Sequence, residues 1–306
     1  MMDFVLLGFS DTPNLQRTLF GVFLLIYLTI FVCNSIIIII TKINSDLHTP
    51  MYFFLGNFSF LEICYVTVTI PRMLMDLWTQ KGHISFLACA IQMGFFFIFG
   101  GTECLLLTVM AYDRYVAICN PLHYALVMNH KVCIQLVAAS WITVVPVAIG
   151  QTWKVFSLPF CASHTIDHFF CDVPPVLQLA CDDTFVKEAA DFVVADTVVF
   201  VMAPLLLIGV SYVKIISNIL KLSSARGRSK AFSTCSSHLT VVVLFYGSAT
   251  ISYLQPKPNQ SEEMGKLISL FYTILIPILN PIIYTLRNKD IEKALRKLLA
   301  KLLLWF

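Results

Sequence analysis

Long apolar segments recur along the chain and are separated by short polar ones. Each of the seven segments is near or above the ~20 residues that a helix needs to cross the hydrocarbon core of a membrane. The fourth is interrupted by Pro146 and Gln151, and the sixth begins with polar residues. The pattern predicts an all-α membrane protein: one domain over residues 1–306, folded as a seven-transmembrane-helix bundle. The predicted spans are about 19–41, 51–75, 86–115, 132–153, 190–216, 231–254 and 264–286.

Composition also indicates a membrane protein. Hydrophobic residues make up 58% of the 306 residues and charged residues 13%, whereas soluble domains contain roughly 25% charged residues. No basic region followed by a small-residue cleavage site precedes the first apolar segment, so we expect that segment to be an uncleaved anchor. The sequence has no G-x-S-x-G, Walker or H-E-x-x-H motif, and therefore nothing in it predicts an enzyme.

Basic residues indicate the orientation. Most of the Lys and Arg residues lie in segments that share one side of the membrane, including the stretch from Lys221 to Lys230. By the positive-inside rule, that side is cytoplasmic, the amino terminus is extracellular and the carboxyl terminus is cytoplasmic. We interpret the stretch before the sixth span as a surface for lipid or a protein partner. Nucleic-acid binding is not predicted, because this is one short cluster in a membrane protein.

The last segment, DIEKALRKLLAKLLLWF, is amphipathic and predicts a short helix at about 290–304 on the inner membrane surface, in contact with lipid. Its apolar stripe is Ile291, Ala294, Leu295, Leu298, Leu299 and Leu302. The opposite face carries the basic residues Lys293, Arg296, Lys297 and Lys301.

Four of the ten cysteines fall in segments predicted to face outside: Cys89, Cys161, Cys171 and Cys181. In an oxidising compartment they predict two disulfides, and spacing alone does not choose among the three possible pairings. The motif HFFCD, from His168 to Asp172, offers a second hypothesis, in which imidazole, thiolate and carboxylate bind copper or zinc. We favour the disulfide hypothesis, because a bridged Cys171 has no thiolate to give.

The segment that says most about the class of protein is MAYDRYVAICNPLHY, Met110 to Tyr124, at the predicted inner end of the third span. Two opposite charges, Asp113 and Arg114, lie side by side where the apolar span ends. Charged residues within membrane helices are costly and are usually functional. The segment resembles the end of the third helix of G-protein-coupled receptors and, over its full length, that of the odorant receptors. KAFSTCSSHL, Lys230 to Leu239, and PILNPIIYTLRN, Pro277 to Asn288, also resemble this family. The sequence departs from the family in one respect. The family usually carries an N-x-Ser/Thr glycosylation site near its amino terminus, whereas no such site precedes Asn57 here.

The resemblance implies a plasma-membrane odorant receptor that is not an enzyme. Such a receptor binds a small, mostly apolar volatile ligand in the outer half of the bundle. It then activates a stimulatory, olfactory-type heterotrimeric G protein, which raises cAMP. The resemblance also implies the pairs Cys89–Cys171 and Cys161–Cys181. The residues implied in the inner switch are Asp113, Arg114, Tyr115, Tyr212, His238 and Tyr284, with Arg114 paired at rest to Asp113 and to nearby groups of the sixth helix.

The inward face of the third helix suits a small apolar cavity, because Gly100 and Gly101 lie beneath large aromatic residues. Family position adds residues of the fifth, sixth and seventh helices. The expected lining is Met93, Phe96, Phe97, Gly100, Gly101, Cys104, Asp196, Thr197, Phe200, Tyr246, Ala249, Thr250, Tyr253, Leu270 and Thr273. For Asp196 three hypotheses stay open: contact with an amine ligand, pairing with Lys257, or a hydrogen bond to the second outer loop.

Two acids, Glu62 and Glu103, lie in the middle of the second and third spans. With Asn34 and Asn280 they resemble the sodium pocket of this receptor class. The alternative is a protonated, hydrogen-bonded pair that holds the helices together. We predict no other cofactor. Repeat symmetry typical of a transporter and the repeated polar positions of a channel are not seen in the sequence.

Overall fold

The structure is a computed structural model that describes residues 3–9, 13–161, 164–221, 224–254, 262–286 and 288–303. Its long helices, numbered in chain order, form the predicted seven-helix bundle followed by one short helix. The first four are α1 Pro13–Ile43, α2 Pro50–Thr79, α3 Phe86–Cys119 and α4 His130–Phe156. The next are α5 Asp183–Lys221, α6 Ala225–Leu254, α7 with the parts Glu262–Leu270, Phe271–Leu275 and Ile276–Leu286, and α8 Lys289–Leu303.

The helices differ from the predicted spans mainly at their ends, where polar caps extend them beyond the apolar core. Ser85 accepts a hydrogen bond from the Ala88 N–H at 3.2 Å and so begins α3, and Asn129 begins α4 in the same way. Among the described residues, α1 to α5 and α7 are long and apolar enough to cross a membrane. Within α6, the described segment Cys235–Ile251 is also apolar.

Large apolar side chains cover the outside of the bundle. Leu25, Ile142 and Val213 are 68%, 72% and 69% exposed on α1, α4 and α5. We call the end of the bundle that the basic residues predict to be extracellular the outer end, and the opposite end the inner end. Trp78 and Trp153 are similarly exposed near the outer ends of α2 and α4, and tryptophan is enriched at membrane interfaces. A soluble protein rarely exposes so much contiguous apolar surface. The exposure is as expected for a multi-pass membrane protein whose lipid-facing side chains need no protein partner.

Three short strands, which the sequence analysis did not predict, cover the outer end of the bundle. They are β1 Asp3–Leu6, β2 His83–Ser85 and β3 Thr165–Ile166, in the order β2-β1-β3. Phe4 at the centre of this sheet is fully buried and packs edge-on against Phe160, with ring centroids 5.7 Å apart. A Cβ on Gly82 would lie 1.9 Å from the Leu6 carbonyl oxygen, so the close approach of β1 requires glycine there.

Two helices contain a wider, π-type turn. In α5 it spans Val198–Met202, and in α7 it spans Phe271–Leu275. Such turns change the direction in which the flanking side chains point and often occur at functional sites. Here they carry Phe200 and Tyr272, and both side chains line the cavity described below.

The remaining short helices lie in loops. Ser45–Leu47 follows α1, Pro121–His123 and Tyr124–Val127 follow α3, and Val173–Leu177 belongs to the second outer loop. On α8 the part of the predicted apolar stripe from Ile291 to Leu298 faces the bundle, with Ile291 and Ala294 buried.

Candidate functional site

A cavity of about 110 Å³ lies in the outer half of the bundle. Its walls come mainly from α3, α4, α5 and α6, and most of its lining is apolar. The lining residues are Tyr65, Phe96, Phe97, Gly100, Gly101, Cys104, Val144, Val147, Ala148, Gln151, Asp196, Thr197, Phe200, Val201, Phe245, Ser248, Ala249 and Tyr272. Its volume resembles that of an engineered apolar cavity of ~150 Å³ that binds benzene.

The structure brings together many residues that the sequence analysis placed in the pocket. Those that line the cavity are Phe96, Phe97, Gly100, Gly101, Cys104, Asp196, Thr197, Phe200 and Ala249. Five others do not line it: Met93, Tyr246, Thr250, Leu270 and Thr273. Tyr253 lies in α6, but its side chain is outside the described part of the structure.

Physical reasons account for the residues outside the cavity. Met93 is fully buried in the outer cluster beside the sheet. Tyr246 donates to the Cys104 carbonyl oxygen at 2.9 Å and so joins α6 to α3 beneath the cavity. The hydroxyls of Thr250 and Thr273 donate to carbonyl oxygens of their own helices at 2.7 and 2.6 Å. Leu270 lies on α7, which contributes only Tyr272 to the described lining.

The fourth helix is the wall that the sequence analysis missed. Val144, Val147, Ala148 and Gln151 all line the cavity. The signal was present in Gln151, a polar residue in an otherwise apolar span, because polar groups inside membrane helices usually face the bundle interior. The remaining unpredicted residues, Tyr65, Val201, Phe245, Ser248 and Tyr272, gave no such signal.

The two glycines of α3 have different neighbours. A Cβ on Gly101 would lie 2.7 Å from the Val144 Cγ1 atom, so this glycine allows α3 and α4 to pack closely. A Cβ on Gly100 would meet only Tyr65, at 3.8 Å, which is an ordinary contact distance. Gly101 therefore sets the spacing of two helices, whereas Gly100 leaves volume free in the cavity.

Asp196 is the one carboxylate in the described lining of the cavity. Its Oδ2 atom is buried and has no hydrogen-bond partner among the described residues. The expected alternative partner, Lys257, lies outside the described residues. No contact with the described part of the second outer loop is seen for Asp196, so the loop hypothesis finds no support here.

The second outer loop is attached to the bundle by covalent and polar contacts. The structure has the disulfides Cys89–Cys171 and Cys161–Cys181, with Cα atoms 5.5 and 5.8 Å apart, the two pairs that the resemblance implied. The Cys171 N–H donates to the Gln92 Oε1 atom on α3 at 3.0 Å. On the other side, Lys266 of α7 forms a salt bridge with Asp167 of the loop.

His168 is buried in this loop, and both of its ring nitrogens form hydrogen bonds. Its Nδ1 atom accepts the Phe170 N–H at 3.3 Å, so the proton lies on Nε2, which donates to the Ser269 hydroxyl at 3.0 Å. Burial lowers the pKa of His168 to about 4, against the opposing charge of Asp172. Because Cys171 is bridged, no thiolate is available, and the described residues contain no group of three or more metal-binding side chains. The favoured disulfide hypothesis therefore agrees with the structure, and the expected absence of copper or zinc stays a prediction.

The inner end of α3 differs from the expected ion pair. Asp113 accepts a hydrogen bond from the Tyr124 hydroxyl at 2.8 Å, and burial together with this carboxylate raises the pKa of Tyr124, so the hydroxyl keeps its proton. Arg114 reaches Met51 Sδ at 3.4 Å, and no salt bridge to Asp113 is present among the described residues. Adjacent residues point about 100° apart on a helix, so the two charges face different neighbours.

A hydrogen-bonded cluster joins three helices beside Arg114. The Tyr212 hydroxyl on α5 lies 2.8 Å from His238 Nδ1 on α6, and His238 Nε2 lies 3.1 Å from the Leu107 carbonyl oxygen on α3. The charge of Arg114 is within electrostatic range of both rings and of Tyr284. The Tyr284 hydroxyl is buried without a partner among the described residues. We refer to Tyr212, His238 and Leu107 as the inner cluster.

Tyr115 lies apart from this cluster. The Lys214 ammonium of α5 lies 5.5 Å from the centroid of the Tyr115 ring, which is within cation–π range. Tyr115 is half-buried and so contributes to the contact between α3 and α5, not to the buried hydrogen bonds.

The two acids predicted in the middle of the bundle meet there. Glu62 and Glu103 are both buried, and their carboxyl groups are in hydrogen-bonding contact. The Asn280 side-chain N–H donates to Glu62 Oε1. Glu62 Oε2, Glu103 Oε1 and Asn280 Oδ1 have no partner among the described residues. Asn34 is also buried, and its side-chain nitrogen donates to the Ile30 carbonyl oxygen of its own helix at 3.0 Å.

Comparison with known proteins agrees with this arrangement. The sequence matches the olfactory receptor family over residues 23–302. Human olfactory receptor 10AG1 is 72% identical over 302 residues, which are 99% of this chain and 100% of the relative. Human olfactory receptor 10A7 is 51% identical over 299 residues, or 98% of this chain and 94% of the relative. A crystal structure of squid rhodopsin shares the fold, with a TM-score of 0.72 over 96% of this chain and 88% of the other, at 18% identity. This chain belongs to the olfactory receptor family of G-protein-coupled receptors.

Proposed function

We propose that this receptor binds a small, mostly apolar volatile odorant in the outer cavity and activates a stimulatory, olfactory-type heterotrimeric G protein, which raises cAMP. The continuity of α3 carries the proposal. This one helix lines the cavity from Phe96 to Cys104 and presents Arg114 at the inner end. An apolar cavity suits a volatile ligand, because such a ligand gains free energy mainly by leaving water.

The proposed mechanism uses α5 and α6. Phe200 on α5 and Phe245 on α6 line the cavity, and the same two helices meet at the inner cluster through Tyr212 and His238. A ligand that fits best when these helices are differently spaced shifts the population toward that spacing. The Tyr212–His238 hydrogen bond then separates, and Arg114 becomes accessible to the G protein.

We further propose the orientation predicted by the basic residues, with the amino terminus outside the plasma membrane and the carboxyl terminus inside. Two features support it: the disulfides lie at the end of the bundle that would be outside, and Lys293, Arg296 and Lys297 are exposed on α8 at the other end. Exposed cations at a cytoplasmic surface attract anionic lipid. An antibody epitope at either terminus, probed on intact and permeabilised cells, tests this orientation.

For the acids in the middle of the bundle, we propose that the free oxygens of Glu62, Glu103 and Asn280 hold either a shared proton or a sodium ion. Two ionised carboxylates side by side would repel each other in a low dielectric, and either cation removes that repulsion. Melting of the purified receptor in sodium and in choline chloride, at equal ionic strength, separates the two. Sodium binding predicts a higher melting temperature in sodium that Glu103→Gln abolishes.

The signalling proposal is tested by cAMP production in cells that carry the receptor with an added trafficking sequence. We expect Arg114→Ala to abolish the odorant response while a ligand still raises the melting temperature of the purified protein. Lys131→Ala, which removes an exposed charge from the same end of the bundle, is the matched control. A normal cAMP response in Arg114→Ala, at equal surface expression, would refute the switch. Ligand uptake or current from reconstituted wild-type protein would instead favour a transporter or a channel.

A further inference from the structure

We propose that the cavity selects small ligands that carry a protonated amine, and that Asp196 binds the ammonium group. The inference rests on the proposed odorant function and adds to it the chemical class of the ligand. It follows from the charge of the cavity, from the hydrogen-bonding state of its hydroxyl groups, and from its aromatic walls.

The charge of the cavity is unbalanced. Asp196 is the one carboxylate of the described lining, and no Lys, Arg or His belongs to that lining. Its Oδ2 atom is buried and unpartnered among the described residues. A carboxylate inside a membrane bundle is costly unless a cation or hydrogen-bond donors accompany it. Because no described side chain meets this need, a cationic ligand meets it best.

Two of the hydroxyl groups that line the cavity, those of Thr197 and Ser248, present acceptors to a ligand. Thr197 donates its only hydroxyl hydrogen to the Val193 carbonyl oxygen at 2.7 Å, and Ser248 donates to the Phe245 carbonyl oxygen at 2.7 Å. With those hydrogens used, the two oxygens can only accept from a ligand. Together with Asp196 these two acceptors favour a group with several N–H donors. A primary ammonium, with three N–H bonds, is such a group.

The aromatic walls favour the same charge. The rings that line the cavity are Tyr65, Phe96, Phe97, Phe200, Phe245 and Tyr272. The face of an aromatic ring attracts a cation, and the attraction is larger where water is excluded. These rings also supply apolar surface for the hydrocarbon part of the ligand. With a cavity of about 110 Å³, the ligand is expected to carry one ring or a short branched chain.

The test compares molecules of one shape that differ in one group. Benzylamine, benzyl alcohol and ethylbenzene form one triplet, and isoamylamine, isoamyl alcohol and 2-methylpentane form another. We expect an amine to be the most potent member of at least one triplet in cAMP production. Asp196→Asn should raise its EC50 about 10- to 100-fold, which is the loss of one charged hydrogen bond. The potency of the alcohol and the hydrocarbon should stay unchanged.

Two control variants make the result specific. Asp191→Asn removes an exposed carboxylate from the same helix and should change no response. Lys257→Gln tests the internal ion pair: if Asp196 is free for the ligand, amine potency stays the same. The proposal is overturned if Asp196→Asn weakens all three members of a triplet equally. It is also overturned if Lys257→Gln and Asp196→Asn lower the melting temperature of the purified receptor by the same amount and the double variant adds nothing.

The melting temperature of the purified receptor separates this proposal from the proposed function. If neutral odorants raise cAMP and amines act no better than their isosteres, the amine proposal fails and the odorant function stands. If amines stabilise the purified wild type but not Asp196→Asn, and no probe raises cAMP, the amine site stands and the signalling proposal fails.

Discussion

The outer and inner halves of this bundle use their buried polar groups in opposite ways. In the outer half, polar contacts attach a loop to helices: His168 bonds to Ser269, and Asp172 accepts a hydrogen bond from Tyr272 at 2.9 Å. In the inner half, they join helix to helix through Tyr212 and His238. The outer polar groups therefore hold a loop against the bundle, whereas the inner ones hold helices to one another.

The two halves also differ in how firmly they are held. The outer loop is covalently attached to α3 through Cys89–Cys171, which closes a chain segment with a sequence separation of 82 residues. A disulfide contributes about 2–4 kcal/mol, whereas a hydrogen bond between membrane helices contributes on the order of 0.6 kcal/mol. Helix contacts of the second kind can be exchanged at low cost. We therefore predict that the outer half keeps its shape while the helix contacts of the inner half exchange.

Loss of the covalent attachment should have the largest effect. Cys171→Ser is expected to destabilise the receptor by about 2–5 kcal/mol and to prevent its surface display. Surface staining and the melting temperature of purified protein measure this. Cys64→Ser, which removes a free, half-buried cysteine of α2, is the control and should be displayed normally. Equal display of both variants would contradict the idea that the outer half depends on this bridge.

The second-largest effect is expected from acid, which should lower the stability of the folded protein through the outer half. His168 has a pKa of about 4 in the folded protein, below the ordinary value of 6.5. Between these values the unfolded chain binds a proton that the folded chain does not, so stability falls as the pH drops below 6.5 and levels off below 4. The receptor should be about 2 kcal/mol less stable at pH 5 than at pH 7.5.

The acid effect can be assigned by melting curves at the two pH values. His168→Gln should reduce the difference in stability between them, whereas His164→Gln, which changes an exposed histidine of the same loop, should leave it unchanged. If both variants keep the full difference, the acid sensitivity lies elsewhere in the protein.

In the inner half, Tyr212→Phe should remove the bond to His238 and leave a buried ring nitrogen unpaired, at a cost of about 1–2 kcal/mol. We expect basal cAMP to rise while the EC50 of an odorant changes little, because the cavity is untouched. Tyr112→Phe is the control, since that tyrosine is 41% exposed to the lipid side. A shift in odorant potency without any change in basal cAMP would contradict the idea that the inner half controls activation and the outer half controls ligand binding.

The smallest expected effect concerns the spacing of α3 and α4. Gly101→Ala should cost about 1 kcal/mol, because its Cβ would lie 2.7 Å from Val144 Cγ1 and α4 must shift. Gly100→Ala meets only Tyr65 at 3.8 Å and should be at least as stable as the wild type. Gly101→Ala should also weaken the odorant response. Dose–response curves and melting temperatures for the two variants compare a change in helix spacing with a change in cavity volume.

The sequence predicted the class of the molecule correctly because that information is local. Seven apolar runs, the segment from Met110 to Tyr124 and the motifs of the sixth and seventh helices identify an olfactory receptor, and not an enzyme, with seven helices; family membership and fold confirm this. The amphipathic stripe from Ile291 onward likewise predicted α8. Each of these signals depends on composition or on spacing within a single helix. Because backbone groups in lipid must form their hydrogen bonds within the segment, an apolar run of this length folds as a helix.

Only the tertiary structure decided which side chains meet. Side chains of α4 line the cavity, and Gly101 allows α3 to pack closely against Val144 there, whereas the sequence predicted Leu270 and Thr273 of α7 in the wall. The Arg114 guanidinium contacts the Met51 sulfur and forms no salt bridge with Asp113 among the described residues. The sheet at the outer end joins Phe4 to strands far along the chain, and strands of two to four residues have too little periodicity to be recognised. Such contacts depend on how helices rotate and pack against one another, and no single stretch of sequence contains that information.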